Sequence, residues 1–386
     1  MVIAAQPVRS RSERIVAALR HADLTLLLLP IALSLFGLVM IYASSRSRLG
    51  RNGQSGFAFV GRQSAAILLG LGAMAVVMAI DYRRIRDLWP VPYAITLPLL
   101  LAVLVVGQSS RGAQAWYQVG PLQFQPSEVA KIVVIVAVAG YCHQHRDDLD
   151  VWRLAVAGGL AGAVMVAVFL QRDLGTMLVI MVCALAGLVV AGLKPVHIVV
   201  LLCCAATLVG AAVVTGRVQA YQLDRLRTFA NQSAEASAPG EQTPTQYNLK
   251  ASKTAIASGG LTGAGLFQGL QTKNGFVPEQ HTDFIFTAVG EDLGFLGGAT
   301  LLALYGLLAW RLWRIALVAP DFFGTLVAVG VLAMFAIQVF ENVGMTMGIM
   351  PITGIPLPFL SYGGSAIIGA FLAVGLVQSV HMRRFG

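Results

Sequence analysis

Long uncharged runs dominate the chain and are separated by short segments that carry most of the charged residues. Eight of these runs contain 18 to 23 residues, and a helix needs roughly 20 apolar residues to cross the hydrocarbon core of a bilayer. The runs are 24–45, 63–80, 88–110, 154–171, 174–193, 195–216, 293–310 and 322–340. A shorter run at 132–145 and a final helix within 342–382 bring the total to ten. The pattern therefore predicts an all-α, polytopic membrane protein with about ten transmembrane helices.

The composition agrees with this pattern. Hydrophobic residues make up 57% of the 386 positions and charged residues 12%, whereas soluble proteins carry about 25% charged residues. A soluble enzyme, a soluble nucleic-acid binder and a disulfide-stapled secreted domain are therefore excluded. The cysteines fall in or at the ends of predicted spans, where cysteine packs as a small hydrophobe, so we expect no metal or disulfide role for them. They are Cys142, Cys183, Cys203 and Cys204.

The distribution of basic residues predicts the orientation of the spans. The net charge is +9, which in a membrane protein reports topology more often than nucleic-acid binding, and no nucleic acid is expected as a partner. If the N-terminus is cytoplasmic, 14 of the 27 basic residues lie in cytoplasmic segments, 7 in short outer segments and 6 in the long segment 216–282. Long loops do not count toward the positive-inside bias. The excess of 14 over 7 therefore predicts that both termini are cytoplasmic.

The predicted domain organisation is simple. Residues 1–22 form a basic cytoplasmic tail that is expected to lie against the anionic inner leaflet, and residues 23–386 form one transmembrane domain. The loop 216–282 between spans 7 and 8 is extracytoplasmic, and its residues 231–245 have the composition of a flexible segment. Residues 254–272 are uncharged, but their five glycines and several polar residues make a poor lipid-facing helix. We therefore expect a surface or re-entrant segment over the outer face rather than an eleventh span.

Several charged residues lie at the outer ends of predicted spans, where ionisable groups are functional candidates. Glu128 and Lys131 open the fourth span and share one helix side, either as a capping acid with a neighbouring ion pair or as part of a binding site. Arg172 and Asp173 occupy the turn before the sixth span, where a short turn needs polar residues in any case. Arg62 begins the second span, where an arginine commonly snorkels towards the interface.

A cluster of polar residues precedes and enters the eighth span. Asp283 lies where the long loop meets the membrane, and His281 precedes it by two residues. An aspartate in this position can be a helix N-cap, a general base or a ligand of a divalent cation. Glu291 and Asp292 follow about two turns later, and they either line a polar cavity or pair within the bundle.

Residues 348–365 cannot form a plain helix. They include three prolines, each of which removes a backbone donor and clashes with the preceding turn of a helix. Several glycines and Ser361 complete the segment. We expect an irregular segment of well-defined shape that is buried against the rest of the protein.

Four stretches of the sequence together resemble the SEDS family of bacterial cell-wall polymerases, the RodA, FtsW and SpoVE group. They are GAQAWYQVGPLQFQPSEVAKI at 112–132, LQRDLGT at 170–176, PEQHTDFIFTAVGEDLGFLG at 278–297 and NVGMTMGIMPITGIPLPFLSYGGS at 342–365. The Gly-Ile-Pro-Leu-Pro-Phe form of the last stretch resembles RodA, the elongation enzyme, more than the septal FtsW. The sequence departs from the family pattern at Arg172, where a proline is usual, and at Asp292, where a second glutamate is common.

The resemblance implies a peptidoglycan glycosyltransferase that polymerises lipid II into glycan strands at the outer face of the bacterial cytoplasmic membrane. The transfer would invert the anomeric carbon and release undecaprenyl diphosphate. The resemblance assigns the essential acid to Asp283, as general base or as ligand of a divalent cation, magnesium or manganese, and implies no organic cofactor. Arg62, Lys131 and Arg172 suit the diphosphate as cations. The implied substrate-binding residues are Arg62, Glu128, Lys131, Asp173, His281 and Ser361.

The resemblance also implies partners, namely a class B penicillin-binding protein as transpeptidase and elongasome membrane proteins such as MreC and MreD. Two other classes of function stay open from the residues alone. A lipid II flippase also fits ten spans with intramembrane charges, although the polar residues concentrate on one side of the membrane rather than along a path through it. A scaffold for a partner protein would tolerate the combined loss of Asp283, Glu128 and Lys131.

Overall fold

The computed structural model describes residues 21–51, 57–110, 113–119, 122–199, 229 and 243–384. Its helices are α1 (Leu24–Arg51), α2 (Ala58–Ala79), α3 (Tyr82–Asp87), α4 (Pro90–Val106), α5 (Pro126–Gln144), α6 (Val151–Leu170), α7 (Leu174–Val190), α8 (Pro244–Ser258), α9 (Leu270–Asn274), α10 (Ile285–Leu317), α11 (Phe322–Met347) and α12 (Gly364–Met382). Three short strands, β1 (Gln108–Ser110), β2 (Ala113–Val119) and β3 (Leu122–Phe124), form an antiparallel sheet in chain order.

Seven of these helices are long and apolar enough to cross a membrane, namely α1, α2, α5, α6, α10, α11 and α12. Helices α4 and α7 are also apolar but contain 17 residues each. Together they match nine of the predicted spans, which confirms a polytopic helical membrane protein. The other predicted span, 195–216, lies outside the described residues beyond residue 199, as do residues 1–20 of the tail and residues 231–242 of the long loop. The total of ten spans therefore stays a prediction.

Helices α5 and α12 form the centre of the bundle. Each contains 19 residues, of which 15 are buried, as is typical of helices surrounded by other helices. Small residues allow close approach at the crossings. A Cβ atom at Gly375 of α12 would lie 2.9 Å from the Met74 carbonyl oxygen of α2, and one at Gly140 of α5 would lie 2.5 Å from the Trp89 ring. Large apolar side chains such as Phe295 of α10 are instead exposed on the outer surface, where lipid surrounds the protein.

Charged side chains gather at the two ends of the bundle. At the first, which we call the terminal end, Arg311 of α10 pairs with Asp23, and Gln378 of α12 donates to the Asp23 carbonyl oxygen at 3.3 Å. The opposite end, which we call the loop end, comprises the sheet, the α6–α7 turn, residues 243–284 and residues 348–363. The described chain therefore starts and finishes at the terminal end, in agreement with the predicted placement of both termini on one side.

Three helices extend through buried ionisable residues beyond the uncharged runs that predicted them. Helix α5 begins ahead of the run 132–145, α10 begins ahead of the run 293–310, and α11 continues past the run 322–340. Each extension contains buried ionisable residues. The runs were defined as uncharged and therefore end at those residues. The helices continue because the charged groups find partners inside the protein.

The sheet at the loop end was not predicted. The third span was expected to reach residue 110, but α4 ends at Val106 and β1 begins at Gln108. Backbone near the membrane must satisfy its own N–H and C=O groups, and strand pairing does so for this polar stretch. The Tyr117 hydroxyl of β2 also donates to the Leu99 carbonyl oxygen of α4 at 2.9 Å. The sheet is therefore attached to the end of the bundle.

Candidate functional site

The segment between α11 and α12, residues 348–363, is irregular, as its prolines predicted. We call it the proline segment. Its backbone is held by side chains from other helices: Tyr305 of α10 donates to the Pro358 carbonyl oxygen at 2.5 Å. Gln63 of α2 donates to the Ser361 carbonyl oxygen and accepts the Gly363 N–H, both at 3.1 Å. Because buried side chains satisfy its polar backbone, the segment keeps a defined shape at the loop end.

Ser361 stabilises a turn of the proline segment. Its Oγ accepts the Leu357 N–H at 2.9 Å, and its own N–H donates to the Leu357 carbonyl oxygen at 3.0 Å. The residue is 4% exposed. The structure thus shows a structural role for Ser361 within the segment, next to the small cavity that Glu128 and Lys131 also line.

Glu128 and Lys131 form a buried ion pair in the first turns of α5. The Lys131 Nζ lies 2.8 Å from the Glu128 Oε2, and the side chains are 4% and 5% exposed for the lysine and the glutamate respectively. Gln338 of α11 lines the same small cavity. Attraction within a buried pair repays its desolvation only when the geometry is good, and a well-packed apolar pair is often as stable. A contribution to stability alone is therefore a poor explanation for the presence of a buried ion pair at this position.

Asp283 lies on a turn-rich stretch, residues 278–284, that we call the strap. Helix α10 begins after the strap, with Phe284 as its N-cap, so the structure does not favour the N-cap interpretation of Asp283. Asn342 of α11 donates from Nδ2 to both the Asp283 and the Ile355 carbonyl oxygens at 2.8 Å. A Cβ atom at Gly354 would lie 3.4 Å from the Asp283 Oδ2. The half-buried carboxyl therefore lies against the proline segment.

His281 joins the strap to the proline segment a second time. Its carbonyl oxygen accepts the Tyr362 N–H at 2.9 Å. Its ring packs against two aromatic side chains, with centroids 4.6 Å from Phe59 and 5.7 Å from Tyr362. The structure thus brings His281, Asp283 and the proline segment together.

Asp173 has both carboxyl oxygens engaged at the α6–α7 turn. Its Oδ1 accepts the Thr176 N–H as the N-cap of α7, and its Oδ2 accepts Gln125 Nε2, both at 3.0 Å. Arg172 has a left-handed φ of 65°, which a proline cannot adopt. The turn therefore has its own shape at the residue where the family pattern has proline. Arg62 is exposed at the start of α2, on the same end of the bundle.

Glu291 and Asp292 form no ion pair with a basic residue in the described part of the chain. They hold a stretch that we call the glycine segment, residues 259–272. Glu291 accepts the backbone N–H groups of Gln271 and Thr272 at 2.7 and 2.8 Å. Asp292 accepts those of Phe267 and Gly269 at 3.0 and 3.1 Å. The carboxylates therefore bind backbone donors of the glycine segment rather than a basic partner within the bundle.

The glycine segment also fills a break in α10. At Gly294, φ is 65° and ψ is −162°, which interrupts the helix. The Glu291 and Asp292 carbonyl oxygens accept N–H groups from residues 264 and 265, and the Phe295 and Leu296 N–H groups donate to residues 260 and 261. The uncharged stretch 254–272 as a whole is not a transmembrane helix, as predicted, although α8 includes its first residues, 254–258.

Glu341 is a buried acid that the sequence analysis missed. It is 0% exposed in α11, and its Oε2 accepts a long hydrogen bond of 3.4 Å from Thr353 Oγ1 in the proline segment. Its neighbour Asn342 contacts the strap, as described above. The available signal was a single acid between two apolar runs, 322–340 and 342–382. Gln338 and Asn342 gave no such signal, because neither is charged.

A metal site is not complete within the described part of the chain. No group of three or more histidine, cysteine, aspartate or glutamate residues is positioned there to hold an ion. Magnesium commonly uses one or two carboxylates together with substrate phosphates and water. Asp283 could serve as one such carboxylate ligand. The remaining ligands would have to be groups other than the histidine, cysteine, aspartate and glutamate residues of the described part of the chain, such as substrate phosphates and water.

Comparisons with known proteins agree with this arrangement. The family model of the FtsW, RodA and SpoVE cell cycle proteins matches residues 23–385. The probable peptidoglycan glycosyltransferase FtsW of Geobacter metallireducens is 36% identical over 370 residues, which cover 94% of this chain and 96% of that protein. The peptidoglycan glycosyltransferase MrdB of Escherichia coli is 35% identical over 374 residues, which cover 94% of each chain.

A solved structure is similar along the same length. It is described as the structural coordination of polymerization and crosslinking by a peptidoglycan synthase complex, and its matching chain has a TM-score of 0.79 and 33% sequence identity. The match covers 94% of this chain and 98% of that chain. Sequence and fold comparisons therefore agree over nearly the whole chain.

Proposed function

The chain belongs to the family of FtsW, RodA and SpoVE cell cycle proteins, and on this premise we propose that it is a peptidoglycan glycosyltransferase that polymerises lipid II. The observation that carries the proposal is the junction at the loop end, where the strap with Asp283 meets the proline segment through Asn342 and His281. The relatives named as peptidoglycan glycosyltransferases support the reaction class.

In the proposed reaction, a hydroxyl group of the acceptor sugar attacks the anomeric carbon of a lipid-linked donor, and undecaprenyl diphosphate leaves. The Asp283 carboxylate accepts the hydroxyl proton as the new glycosidic bond forms. A single displacement of this kind inverts the anomeric carbon. The position of Asp283 supports the role, because the carboxyl is half-buried and its backbone is held by Asn342 from α11.

The leaving diphosphate needs cationic partners at the same end. Arg62 is exposed at the start of α2 and suits a phosphate oxygen. Lys131 is paired with Glu128, so in the proposal it contributes to anion binding while keeping that partner. Asp173, His281 and Ser361 are assigned to shaping the site around the substrate, since each is engaged in hydrogen bonds that fix the turn, the strap or the proline segment.

The alternative role for Asp283 in this proposal is as one ligand of a divalent cation, magnesium or manganese. Such an ion would activate the acceptor hydroxyl. The proposal includes no organic cofactor.

We assign the protein to the bacterial cytoplasmic membrane, with the site facing outward. The excess of basic residues in the segments assigned to the inside, 14 against 7, supports this orientation. Lipid II carries its tail in the membrane and its sugars at the surface, which suits a site at one end of a transmembrane bundle.

The proposed partners are a class B penicillin-binding protein, which would cross-link the new strands, and elongasome proteins such as MreC and MreD. The solved synthase complex that couples polymerization with crosslinking supports a transpeptidase partner. The Gly354 to Phe359 sequence favours a role in elongation. The similarity to an FtsW and to MrdB is nearly equal, at 36% and 35% identity, so a septal role is the alternative.

The test is polymerisation of lipid II by the purified protein with its transpeptidase partner, with Asp283→Asn as the variant. We expect glycan strands from the wild type and none from Asp283→Asn, since the amide cannot accept the proton. Asp147→Asn is the matched control, because the Asp147 side chain is 95% exposed in the turn after α5, at the terminal end, and it should retain full activity.

Two results would contradict the proposal. Equal activity of the wild type and a folded Asp283→Asn variant would show that Asp283 is not the base. No polymerisation by either, combined with transfer of lipid II across liposome membranes, would favour the flippase instead.

A further inference from the structure

A chain of hydrogen bonds connects the strap to α10. Gln280 lies three residues before Asp283, and its Nε2 donates to Thr272 Oγ1 at 2.8 Å. The Thr272 hydroxyl in turn donates to Glu291 Oε2 at 2.6 Å. All three linking side chains are at most 2% exposed. Water therefore does not compete for these bonds, and the position of the strap is coupled to that of Glu291.

The direction of each hydrogen bond between Gln280, Thr272 and Glu291 follows from the available donors and acceptors. A carboxylate oxygen only accepts hydrogen bonds, so the Thr272 hydroxyl must donate its proton to Glu291 and must therefore accept in its bond with Gln280. A hydrogen bond to a charged acceptor is also stronger than a neutral one. A single hydroxyl group thus fixes the direction in which the Gln280 side chain points.

Glu291 is itself held firmly. Besides the Thr272 hydroxyl, its carboxylate accepts the Gln271 and Thr272 N–H groups. The adjacent contact is tight as well, because a Cβ atom at Gly269 would lie 2.5 Å from Asp292 Oδ1. The glycine segment and the first turns of α10 therefore form one packed unit, and Glu291 is a fixed point to which the strap is attached.

The strap is attached on its other side to the proline segment and α11. These attachments are the His281 carbonyl to the Tyr362 N–H and the Asp283 carbonyl to Asn342, described above. Gln280 supplies a side-chain attachment towards the glycine segment. Removing it would take away the side-chain hydrogen bond that joins the strap to Thr272.

We propose that Thr272 and Gln280 are positioning residues of the transferase, which hold the Asp283 carboxylate where it accepts the proton of the acceptor sugar. The inference rests on the proposed function, in which Asp283 is the general base. A shift of about 1 Å in a catalytic group can lower a rate about 100-fold. Arg62 and Lys131, which bind the diphosphate in the proposal, lie on α2 and α5 and not on the strap. Loss of the link should therefore lower kcat much more than it changes KM.

The experiment uses the full chain with its transpeptidase partner and lipid II. Thr272→Val is nearly isosteric and removes the hydroxyl, while the Thr272 N–H can still bind Glu291. We expect its kcat to fall about tenfold or more, with KM within about twofold of the wild type. Thr272→Ser keeps the hydroxyl and should recover most of the loss. Thr262→Val is the matched control, because Thr262 is exposed on the same segment, and it should keep the wild-type kcat.

Gln280→Met removes the other half of the link. It should lower kcat to a similar extent, and the double variant with Thr272→Val should be no worse than either single variant, since both changes remove one interaction. Additive losses would show that the two residues act separately and would overturn the inference.

Hydrogen–deuterium exchange separates this inference from the proposed function, because it needs no substrate. Amides of residues 279–284 should exchange faster in Thr272→Val than in the wild type or in Thr262→Val. If the wild type polymerises lipid II and Thr272→Val matches it in kcat and in exchange, the inference is wrong and the proposed function stands. If the wild type does not polymerise lipid II, the proposed function is wrong, and the catalytic role of the link is wrong with it.

Discussion

At the scale of single residues, the buried pair of Glu128 and Lys131 links stability with function. Both side chains are nearly inaccessible and contact each other at 2.8 Å. A buried charge without its partner is costly, whereas two apolar residues in the same space are often tolerated. The energetic and the functional roles of the pair can therefore be separated by comparing single and double substitutions.

Lys131→Met should destabilise the protein by roughly 3–5 kcal/mol, since it leaves the Glu128 carboxylate buried and unpaired. The double variant Glu128→Leu/Lys131→Met should recover most of that stability and still fail to polymerise lipid II. Thermal unfolding in detergent and strand synthesis would be measured on the same preparations. A stable double variant with wild-type activity would limit the pair to a structural role.

The sequence singled out some residues of the candidate site and missed others for a physical reason. Glu128, Lys131 and Asp283 stood out because a charge interrupts an apolar run, and burial of a charge needs a cause. Three uncharged residues, Gln63, Gln338 and Asn342, do not end an uncharged run and so gave no signal. Their importance depends on which groups of distant segments they contact. That information arises only from the three-dimensional packing.

At the scale of elements, α10 and the glycine segment complete each other. The break at Gly294 frees backbone groups of the helix, and the glycine segment supplies hydrogen bonds to them. Free backbone groups at membrane depth must be satisfied by protein. The glycines permit this because side chains would prevent the contact: a Cβ atom at Gly263 would lie 2.2 Å from the Asp292 carbonyl oxygen.

Gly269→Ala should therefore destabilise the loop end by about 1–3 kcal/mol, since its Cβ would overlap the Asp292 carboxylate. Gly72→Ala is the matched control, because no atom lies within 4 Å of a Cβ at that position on α2. It should be neutral or stabilising by up to about 1 kcal/mol. Thermal unfolding of both variants, with limited proteolysis near residue 269, would check the difference. Equal stability would contradict the tight contact.

The sequence predicted the helices of this fold better than the loop-end elements. Each span can be recognised in the sequence as an uncharged run, which depends only on local composition. The sheet, the break in α10 and the attachment of the glycine segment depend on pairing between segments far apart in the chain. Acidic residues such as Glu291 looked like candidates for a cavity because the sequence does not show the backbone donors that meet them.

At the scale of the whole molecule, Asp23 ties the start of the described chain to helices near its end. Burial alone would raise the pKa of Asp23, but the hydrogen bond from Arg311 and the Leu26 N–H outweigh it and hold the pKa below its ordinary value. Gln378 adds a bond to the Asp23 carbonyl oxygen. Through these bonds, Asp23 connects the start of α1 to α10 and α12 at the terminal end.

Stability should therefore decrease in acid through Asp23. A lowered pKa in the folded state stabilises the protein above the ordinary pKa of an unfolded aspartate, about 3.9, and the contribution is lost as the pH falls through the folded value. Asp23→Asn should melt at a lower temperature at pH 7, and its deficit should shrink below about pH 4. Asp147→Asn, at an exposed site of the same end, should show no deficit. A deficit that is constant with pH would contradict the assignment.

The break in α10 also bears on how the protein fits its bilayer. Helix α10 contains 33 residues, which at 1.5 Å per residue would extend for about 50 Å if straight, far more than the roughly 30 Å of a hydrocarbon core. The part after Gly294, residues 295–317, is about 35 Å long by the same rise. The break thus divides one overlong helix into a segment matched to membrane thickness and a segment that belongs to the site. Hydrophobic mismatch acts on the first of these segments and would be transmitted across the break at Gly294 to Glu291 and the strap. The rate of the reaction would then depend on the thickness of the bilayer.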